Sequence, residues 1–449
     1  MKTVITYGTF DLFHEGHYNI LKRAKEQGDY LIVGVTSENY DKSRGKLNVQ
    51  QSLVDRIENV KKSGFADKII VEEYFGQKIE DIKKYNVDTF VIGSDWEGKF
   101  DYLNEYCNVV YLERTRGVSS TQLRNKNRGI IKLGSVGAGR IAKRMCYESK
   151  FVSGISFDYV FDRSIDSAIK FAEVNDLTFY TDDFEELLKR VDAVYIAVPH
   201  PFHYEYAKRA IEAGKHVLCE KPMVLKKEQA EELYELARKN HVVLYEAIKT
   251  AYAPGFKRML AIAKSGIIGE IKDVEATFTK LMTNTPEVRE FDPNMGGGSV
   301  TELCTYPLIA IMKLLGTNYK DVKFISHKGK YNVDVFTKIL LTYDNAIATA
   351  NVGLGVKKEG ELIISGTKGY IYVPAPWWKT EYFEVRFENP NDNQKYYFQF
   401  EEDGLRYEVA EFLSSILNGT QNISLSEKES VAIVNIIDKY RENGSDIQI

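Results

Sequence analysis

Cysteine is scarce in this chain. Its 449 residues hold four, Cys107, Cys146, Cys219 and Cys304, with no C-x-x-C pair. That pattern excludes a zinc ribbon and a disulfide framework, and it fits a reducing compartment, so a cytoplasmic protein is expected. No apolar run approaches the roughly 20 residues of a membrane span, and no signal-like segment precedes the first apolar strand, MKTVITY. The N-x-[ST] matches at Asn418 and Asn422 are then chance. Neither sign of charge dominates: 60 Lys+Arg face 64 Asp+Glu, a net charge of −4, which leaves no electrostatic footprint for nucleic acid. Low-complexity linkers and convincing internal repeats are missing too. What is present is a globular composition, 44% hydrophobic and 28% charged, in a chain long enough for roughly two to four domains.

Strands and helices alternate from the start. VITYG leads into a helical stretch that ends at Gly28, and DYLIVGVT, KIIV (68–71), VDTFVIG (87–93) and NVVYLE (108–113) follow as strands. Alternation of this kind implies a parallel sheet with its binding site at the strand C-termini. A second such series opens at GIIKLGSV and continues through ISFDYVFD, VDAVYIAVP and HVLCEKP. Beyond it the pattern turns to β-rich stretches at 271–282, 320–329, 335–352, 360–373 and 380–400, with helices at 404–418 and 425–442. The expected architecture is α/β: two doubly wound Rossmann-like domains in series (1–128 and 129–250), then an α+β domain (251–449) with an open, mostly antiparallel sheet.

The segment GTFDLFHEGH, Gly8 to His17, carries the first chemistry. His14 and His17 lie three apart, so both imidazoles point from one face of a helix start. A helix N-terminus already attracts phosphate. Two imidazoles there would stabilise charge on an α-phosphate as pyrophosphate leaves. Gly8, Thr9 and Phe10 would let the backbone approach phosphate. A remote segment, Arg114-Thr115-Arg116-Gly117-Val118-Ser119-Ser120-Thr121, would hold the rest of a triphosphate with two guanidinium groups and three hydroxyls. Mg²⁺ would bridge the phosphates, with Asp11 as its candidate ligand and Asp95 as a further support.

Three segments, YGTFDLFHEGH, FVIGSDWEGKFDYL (90–103, read as a strand) and RTRGVSST (114–121), make residues 1–128 resemble the glycerol-3-phosphate cytidylyltransferase-like members of the H-x-G-H nucleotidyltransferase family. The resemblance implies CTP contacts from Thr9, Phe10, His14, His17 and Arg114 through Thr121. It implies acceptor-phosphate contacts from Arg44, Lys46 and Lys78, and it places Arg56 and Trp96 on motif positions, Arg56 with the acceptor group. Arg44 stands where the family has Lys, Arg116 where it has an acid, and Ser120 where it has Thr; the loop at 47–52 also differs. These departures leave CTP use in place and the acceptor open.

A second nucleotide signal is Gly137-Ala138-Gly139-Arg140-Ile141-Ala142, the G-x-G-x-x-A form, between a strand and a helix. Asp162 stands at the end of the next strand, about 25 residues on, where an acid would bind adenosine ribose hydroxyls and favour NAD. Arg163 and Ser164 follow and would suit a 2′-phosphate, so NAD(H) or NADP(H) both stand. With Glu220-Lys221-Pro222, AVPHPFH (197–203), AGKHV, SGIIGEI and GGGSVTELCTYPL (296–308), residues 130–449 resemble the glucose–fructose oxidoreductase/inositol dehydrogenase/MocA family. That resemblance implies that Lys221 contacts the reacting hydroxyl and the nicotinamide. It implies a cofactor site from Gly137, Gly139, Arg140, Ile141, Asp162, Arg163, Pro199, His203, Glu220 and Lys221, and an oligomer surface on the sheet. The family's later Asp and His/Tyr positions hold Glu302 and Tyr306, which share one face at helical spacing. Tyr306 would give a proton to the new alkoxide, with Lys221 favouring phenolate character. His200 and His203 lie beyond a strand end, as site or structural residues. Trp377 and Trp378 read as sheet packing or a sugar platform.

Together the two halves read as a bifunctional enzyme of CDP-polyol synthesis, serving a cell-surface polymer. The second half would reduce a small ketone or aldehyde to a polyol or its phosphate, and the first would activate the polyol phosphate, glycerol phosphate first, with CTP. The product is expected to be CDP-glycerol, its 2-phosphate isomer or a ribitol analogue. Two rival readings stand beside it: a second half that is a non-catalytic oligomerisation or nucleotide-sensing module, and a first half that uses ATP.

Overall fold

The computed structural model describes residues 1–449 except 38, 39, 42–48, 50, 75, 114–129, 284, 286, 287, 420 and 421. The chain divides into two compact units. One comprises Met1–Ile130 with Phe151–Ile155, the other Ile131–Lys150 with Ser156–Ile449. The divide lies beside the expected 128/129 boundary, and the expected 250/251 boundary falls within the second unit.

In the first unit the strands are β1 (Thr3–Gly8), β2 (Tyr30–Thr36), β3 (Lys68–Glu72), β4 (Thr89–Gly93) and β5 (Asn108–Leu112). They pair in the order β3-β2-β1-β4-β5, all parallel. Val4, Ile5, Leu31 and Val33 are buried on both faces, which is why these strands read as apolar runs rather than as alternation. Helices α1 (Glu15–Lys25), α2 (Leu53–Lys62) and α3 (Gln77–Lys84) cover the sheet. The strand order reverses between β1 and β4, so a crevice opens beyond their C-terminal ends. The stretch 90–103 departs from its expected reading as a strand. β4 ends at Gly93, and single-turn helices at Ser94–Trp96 and Asp101–Glu105 follow, because Trp96 and Phe100 fold back onto each other, ring centroids 5.8 Å apart.

In the second unit a sheet of β6 (Ile131–Val136), β7 (Ile155–Phe161), β8 (Phe179–Thr181), β9 (Ala193–Ile196), β10 (His216–Glu220) and β11 (Leu244–Ala247) has the order β11-β10-β9-β6-β7-β8. Its switch point lies between β6 and β9. The helices used below are α4 (Arg140–Ser149), α5 (His203–Glu212), α6 (Lys249–Tyr252), α7 (Ser299–Leu303), α8 (Thr305–Leu315), α9 (Leu405–Asn418) and α10 (Glu427–Asn443).

The large sheet comprises β12 (Ile271–Thr279), β13 (Asp321–Lys328), β14 (Asp334–Thr342), β15 (Ile347–Gly353), β16 (Leu362–Gly366), β17 (Gly369–Val373), β18 (Tyr382–Phe387), β19 (Gln394–Tyr397) and β20 (Ile447–Gln448). Its order is β19-β18-β17-β16-β12-β15-β14-β13-β20, antiparallel except where β12 meets β15 and β13 meets β20. Three stretches read as single β segments, 335–352, 360–373 and 380–400, are each a pair of antiparallel strands. Among the described residues no single helix is long and apolar enough to cross a membrane.

Candidate functional sites

At the first crevice, β1 hands over to a loop whose conformation is set by two residues with positive φ, Phe10 at 53° and Leu12 at 46°. The Phe10 ring is buried and folds back over Gly8, where an added Cβ would stand 3.0 Å from it. Phe10 therefore belongs to the core, and its reach toward a nucleotide is through its backbone. His14 caps α1, its Nδ1 accepting from the Gly16 N–H at 3.0 Å. That bond makes Nδ1 the unprotonated nitrogen of the neutral ring and leaves Nε2 to donate. His17 stacks on His14 with centroids 3.9 Å apart and planes 21° apart, braced by the rings of Phe10 and Phe13. The two imidazoles that sequence spacing puts on one face are thus face to face.

Beneath this loop runs a buried polar network. The Arg56 guanidinium donates through Nη1 to the carbonyls of Thr9 and Thr36, both at 2.8 Å, and the Thr9 hydroxyl donates to Asp41 at 2.9 Å. Asp11 accepts from the Gln51 N–H at 3.0 Å and is itself 2% exposed. The sequence reading sets Arg56 and Lys78 on an acceptor phosphate; the structure places both side chains below the surface. Arg56 is fully buried as a strut for Thr9. The Lys78 ammonium pairs with Glu72 below the Tyr7 ring, 4.7 Å from its centroid. Asp11 holds the loop through its bond from the Gln51 N–H, and among the described residues no group of three or more His, Cys, Asp or Glu is arranged for a metal. Asp95 is exposed on its single-turn helix. Arg44, Lys46 and the whole run Arg114, Thr115, Arg116, Gly117, Val118, Ser119, Ser120 and Thr121 lie outside the described residues.

The second unit holds a cleft of about 850 Å³ at the β6/β9 switch point. Its cofactor end is the β6–α4 turn. Gly137 has φ 110°, and a Cβ there would stand 2.7 Å from the Ala197 carbonyl oxygen. Gly139 caps α4 without a side-chain bond and lines the cleft beside Arg140 and Ile141. This cradle of bare backbone at a helix N-terminus fits a dinucleotide pyrophosphate. Asp162 accepts from the N–H of Ala138 at 3.0 Å and of Ser164 at 3.0 Å, tying the glycine turn to the end of β7. Arg163 is exposed, its guanidinium 4.4 Å from the Phe202 ring centroid. Pro199 lines the cleft. His203 borders it but is fully buried, with Nδ1 2.9 Å from the Pro222 carbonyl and Nε2 2.8 Å from that of Val198. Two carbonyls favour the cationic ring; burial and the cations of Lys221 and Arg289 oppose it and win, holding His203 down to about 4. His203 thereby bridges two cleft-forming turns.

The reacting end gathers Lys221, Glu302 and Tyr306. Lys221 Nζ donates to the Glu302 carbonyl at 2.9 Å and lies 3.8 Å from its carboxylate. The Glu302 carboxylate also lies 2.7 Å from Arg289 and 3.7 Å from His200, whose imidazole burial holds well below its usual value. Glu302 ends α7, whose N-terminus is capped by Asp334 of β14 through the Val300 N–H at 3.0 Å. Gly298, φ 115°, is needed there because a Cβ would come within 2.4 Å of the Asp334 carboxylate. Tyr306 stands on α8 after a break at Cys304 and stacks on Phe278 at 4.7 Å. Burial first, then neighbouring carboxylates led by Glu220, push the phenol well above its ordinary value, away from the expected phenolate character. Tyr306 is a neutral O–H, hence a donor. Trp377 is core, its indole N–H donating to the Thr277 carbonyl at 2.7 Å, whereas Trp378 lines the cleft against Phe278. Sequence reasoning missed Arg289, Asp334 and Lys249, each brought in by the large sheet or a short helix with no motif around it.

Comparison with known proteins agrees with this geometry. Residues 5–126 match the cytidylyltransferase-like family, residues 131–248 the GFO/IDH/MocA oxidoreductase family with its NAD-binding Rossmann fold, and residues 256–372 the GFO/IDH/MocA C-terminal domain. Glycerol-3-phosphate cytidylyltransferase of Bacillus spizizenii is 50% identical over 124 residues, 28% of this chain and 95% of that protein. Trans-1,2-dihydrobenzene-1,2-diol dehydrogenase of Xenopus laevis is 26% identical over 286 residues, 61% of this chain and 85% of that protein. A 3-ketoreductase from Actinomadura kijaniata, solved with NADP and TDP-benzene, shares the fold at TM-score 0.65 and 24% identity, covering 72% of this chain and all of that one. The chain therefore belongs to two families at once, carrying a cytidylyltransferase module of the glycerol-3-phosphate cytidylyltransferase kind and an NAD(P)-dependent oxidoreductase module of the GFO/IDH/MocA kind.

Proposed function

We propose that this chain makes a CDP-polyol in two steps, reducing a small ketone or aldehyde in the second unit and transferring cytidylyl in the first. The observation that carries the reading is that one polypeptide holds both the stacked His14–His17 pair at a β1/α1 crevice and the Lys221–Glu302–Tyr306 cluster at a dinucleotide cleft. In the first unit a phosphate oxygen of the polyol phosphate attacks the α-phosphorus of CTP, and pyrophosphate leaves. His14 Nε2–H and His17 stabilise the charge that builds on that phosphorus, and Arg56 holds Thr9 in register for it. Mg²⁺ bound to the triphosphate would offset part of its negative charge, with Asp11 as its candidate protein ligand.

In the second unit the cradle of Gly137, Gly139, Arg140 and Ile141 would hold NAD(P)H, which supplies a hydride when bound. The Tyr306 O–H gives its proton to the carbonyl oxygen as that oxygen gains charge. The Lys221 ammonium, fixed by the Glu302 carbonyl and carboxylate, orients the same oxygen. Glu302 balances Lys221 and Arg289, so the cluster does not repel an incoming polar substrate.

Glycerol phosphate is the first acceptor to test, from the relatives of the first unit. The purified full-length protein would be incubated with CTP, Mg²⁺, NAD(P)H and a panel of triose and pentose ketones and their phosphates, with products identified by mass. A CDP-polyol whose formation from the ketone needs NAD(P)H supports the proposal. Pyrophosphate release with a polyol phosphate, but no oxidation of NAD(P)H with any panel member, would overturn the reductive half.

A further inference from the structure

The chemistry above leaves Glu408, on α9, unused. It is fully buried, and neither carboxyl oxygen has a hydrogen-bond partner. Buried polar groups are almost always paired, so such a carboxyl needs a cause. It stands one helical turn beyond Leu405, which lines the oxidoreductase cleft, and so lies behind the cleft wall.

The charged and titratable groups around it come from each neighbouring element: Glu148 on α4, Tyr195 on β9, Glu220 on β10, Lys249 and Tyr252 on α6, and Tyr306 on α8. All but Tyr306 are engaged elsewhere or are carboxylates themselves. Glu148 accepts from the Asp403 N–H at 2.7 Å and from Arg406 Nε at 2.7 Å. Glu220 accepts from the Tyr195 hydroxyl at 2.5 Å and from the Lys221 N–H at 3.2 Å. Lys249 Nζ lies 3.9 Å from Asp403, and the Tyr252 hydroxyl donates to the Glu246 carbonyl at 3.0 Å. An ionised Glu408 would be a second buried carboxylate on an ammonium already facing Glu220 and Asp403, with no donor of its own. Burial and Glu220 both hold its proton on; Lys249 pulls the other way.

We propose that Glu408 is a positioning residue of the oxidoreductase site, a carboxyl that stays protonated so that no further negative charge joins those of Glu220, Glu302 and Asp403 around Lys221, Lys249 and Tyr306. Ionising Glu408 sets another negative charge against the Tyr306 phenol, makes it a weaker proton donor, and slows reduction at alkaline pH. Only this kinetic arm rests on the proposed reduction; the protonation state does not.

The test uses the full-length protein and Glu408→Gln, which is neutral at every pH and nearly the same shape. The infrared difference between the two at neutral pH is expected to show a protonated carboxylic acid in the wild type; a carboxylate band there overturns the proposal. Unfolding compared across pH is a second readout. A carboxyl held protonated in the fold makes the wild type lose about tenfold in its folding constant, relative to Glu408→Gln, for each pH unit above the unfolded value of about 4.3. Parallel profiles overturn it. Should Glu408→Gln not fold, Glu220→Gln replaces it. With the neighbouring charge gone, loss of the acid band moves down by about one pH unit, and an unmoved band overturns the proposal.

With NADPH and dihydroxyacetone phosphate as probe, the alkaline limb of kcat moves up by about one pH unit in Glu408→Gln, and an unmoved limb overturns the positioning role. If neither protein turns over the probe, the proposed reduction is what fails, and the infrared result still decides Glu408.

Discussion

In the proposed reduction Tyr306 and Lys221 would divide the work of the site, one as neutral acid and the other as fixed cation. Tyr306→Phe removes the proton and leaves the stack on Phe278, so NAD(P)H oxidation with an accepted ketone is expected to fall about 10²–10⁴-fold, with NAD(P)H affinity little changed. In the first unit, His17→Ala is expected to slow pyrophosphate release from CTP by about 10²–10³-fold, because the stacked partner of His14 is gone. His203 makes a pH prediction. Its folded ring holds a proton less tightly, near 4, than the unfolded ring at 6.5. Between those values the unfolded chain binds more protons, so His203 contributes a stability that is complete above 6.5 and lost as pH falls toward 4. His203→Gln is expected to flatten that acid loss in denaturant titrations run at successive pH values. Motif residues were legible because their chemistry is local; the burial of Arg56 and Lys78 was not, since nothing in their neighbours along the chain tells a strut from an open cation.

Short turns between strands and helices do most of the positioning. The glycine turn after β6 is tight at Gly137, which has positive φ and where an added Cβ would stand 2.7 Å from the Ala197 carbonyl. Gly137→Ala is therefore expected to abolish NAD(P)H binding, read by nucleotide fluorescence, while cytidylyl transfer continues. Elements were legible where one period dominates. The buried parallel strands and the helices at α9 and α10 stand where periodicity puts them. Periodicity did not separate the strand pairs β14–β15, β16–β17 and β18–β19, because both arms of a hairpin alternate in the same way and the turn between them is short. The 90–103 stretch misled for the opposite reason. Beyond the end of β4, Trp96 and Phe100 pack on each other between and beside two single-turn helices.

At the scale of the molecule, the two units make the proposed sequence of reactions separable. In Lys221→Ala, formation of CDP-polyol from a ketone precursor is expected to stop, and adding the polyol phosphate restores it. A variant that loses both routes would show that the second unit supports the first by something other than its chemistry. Comparing CTP with ATP in the pyrophosphate assay tests the nucleotide in the same preparation.

By itself the sequence determined the order of the folds, the H-x-G-H and G-x-G-x-x-A turns, and the family of each half. Each is a short-range matter of spacing, backbone freedom and alternating hydrophobicity. Only the tertiary structure decided that Arg289 and Lys221 share Glu302, that Asp334 caps the helix carrying it, and that Glu408 lies unpartnered behind Glu220. Those relations join residues tens to hundreds of positions apart, and charge and proton occupancy in a buried site follow from distance and solvent exclusion, which chain order does not encode.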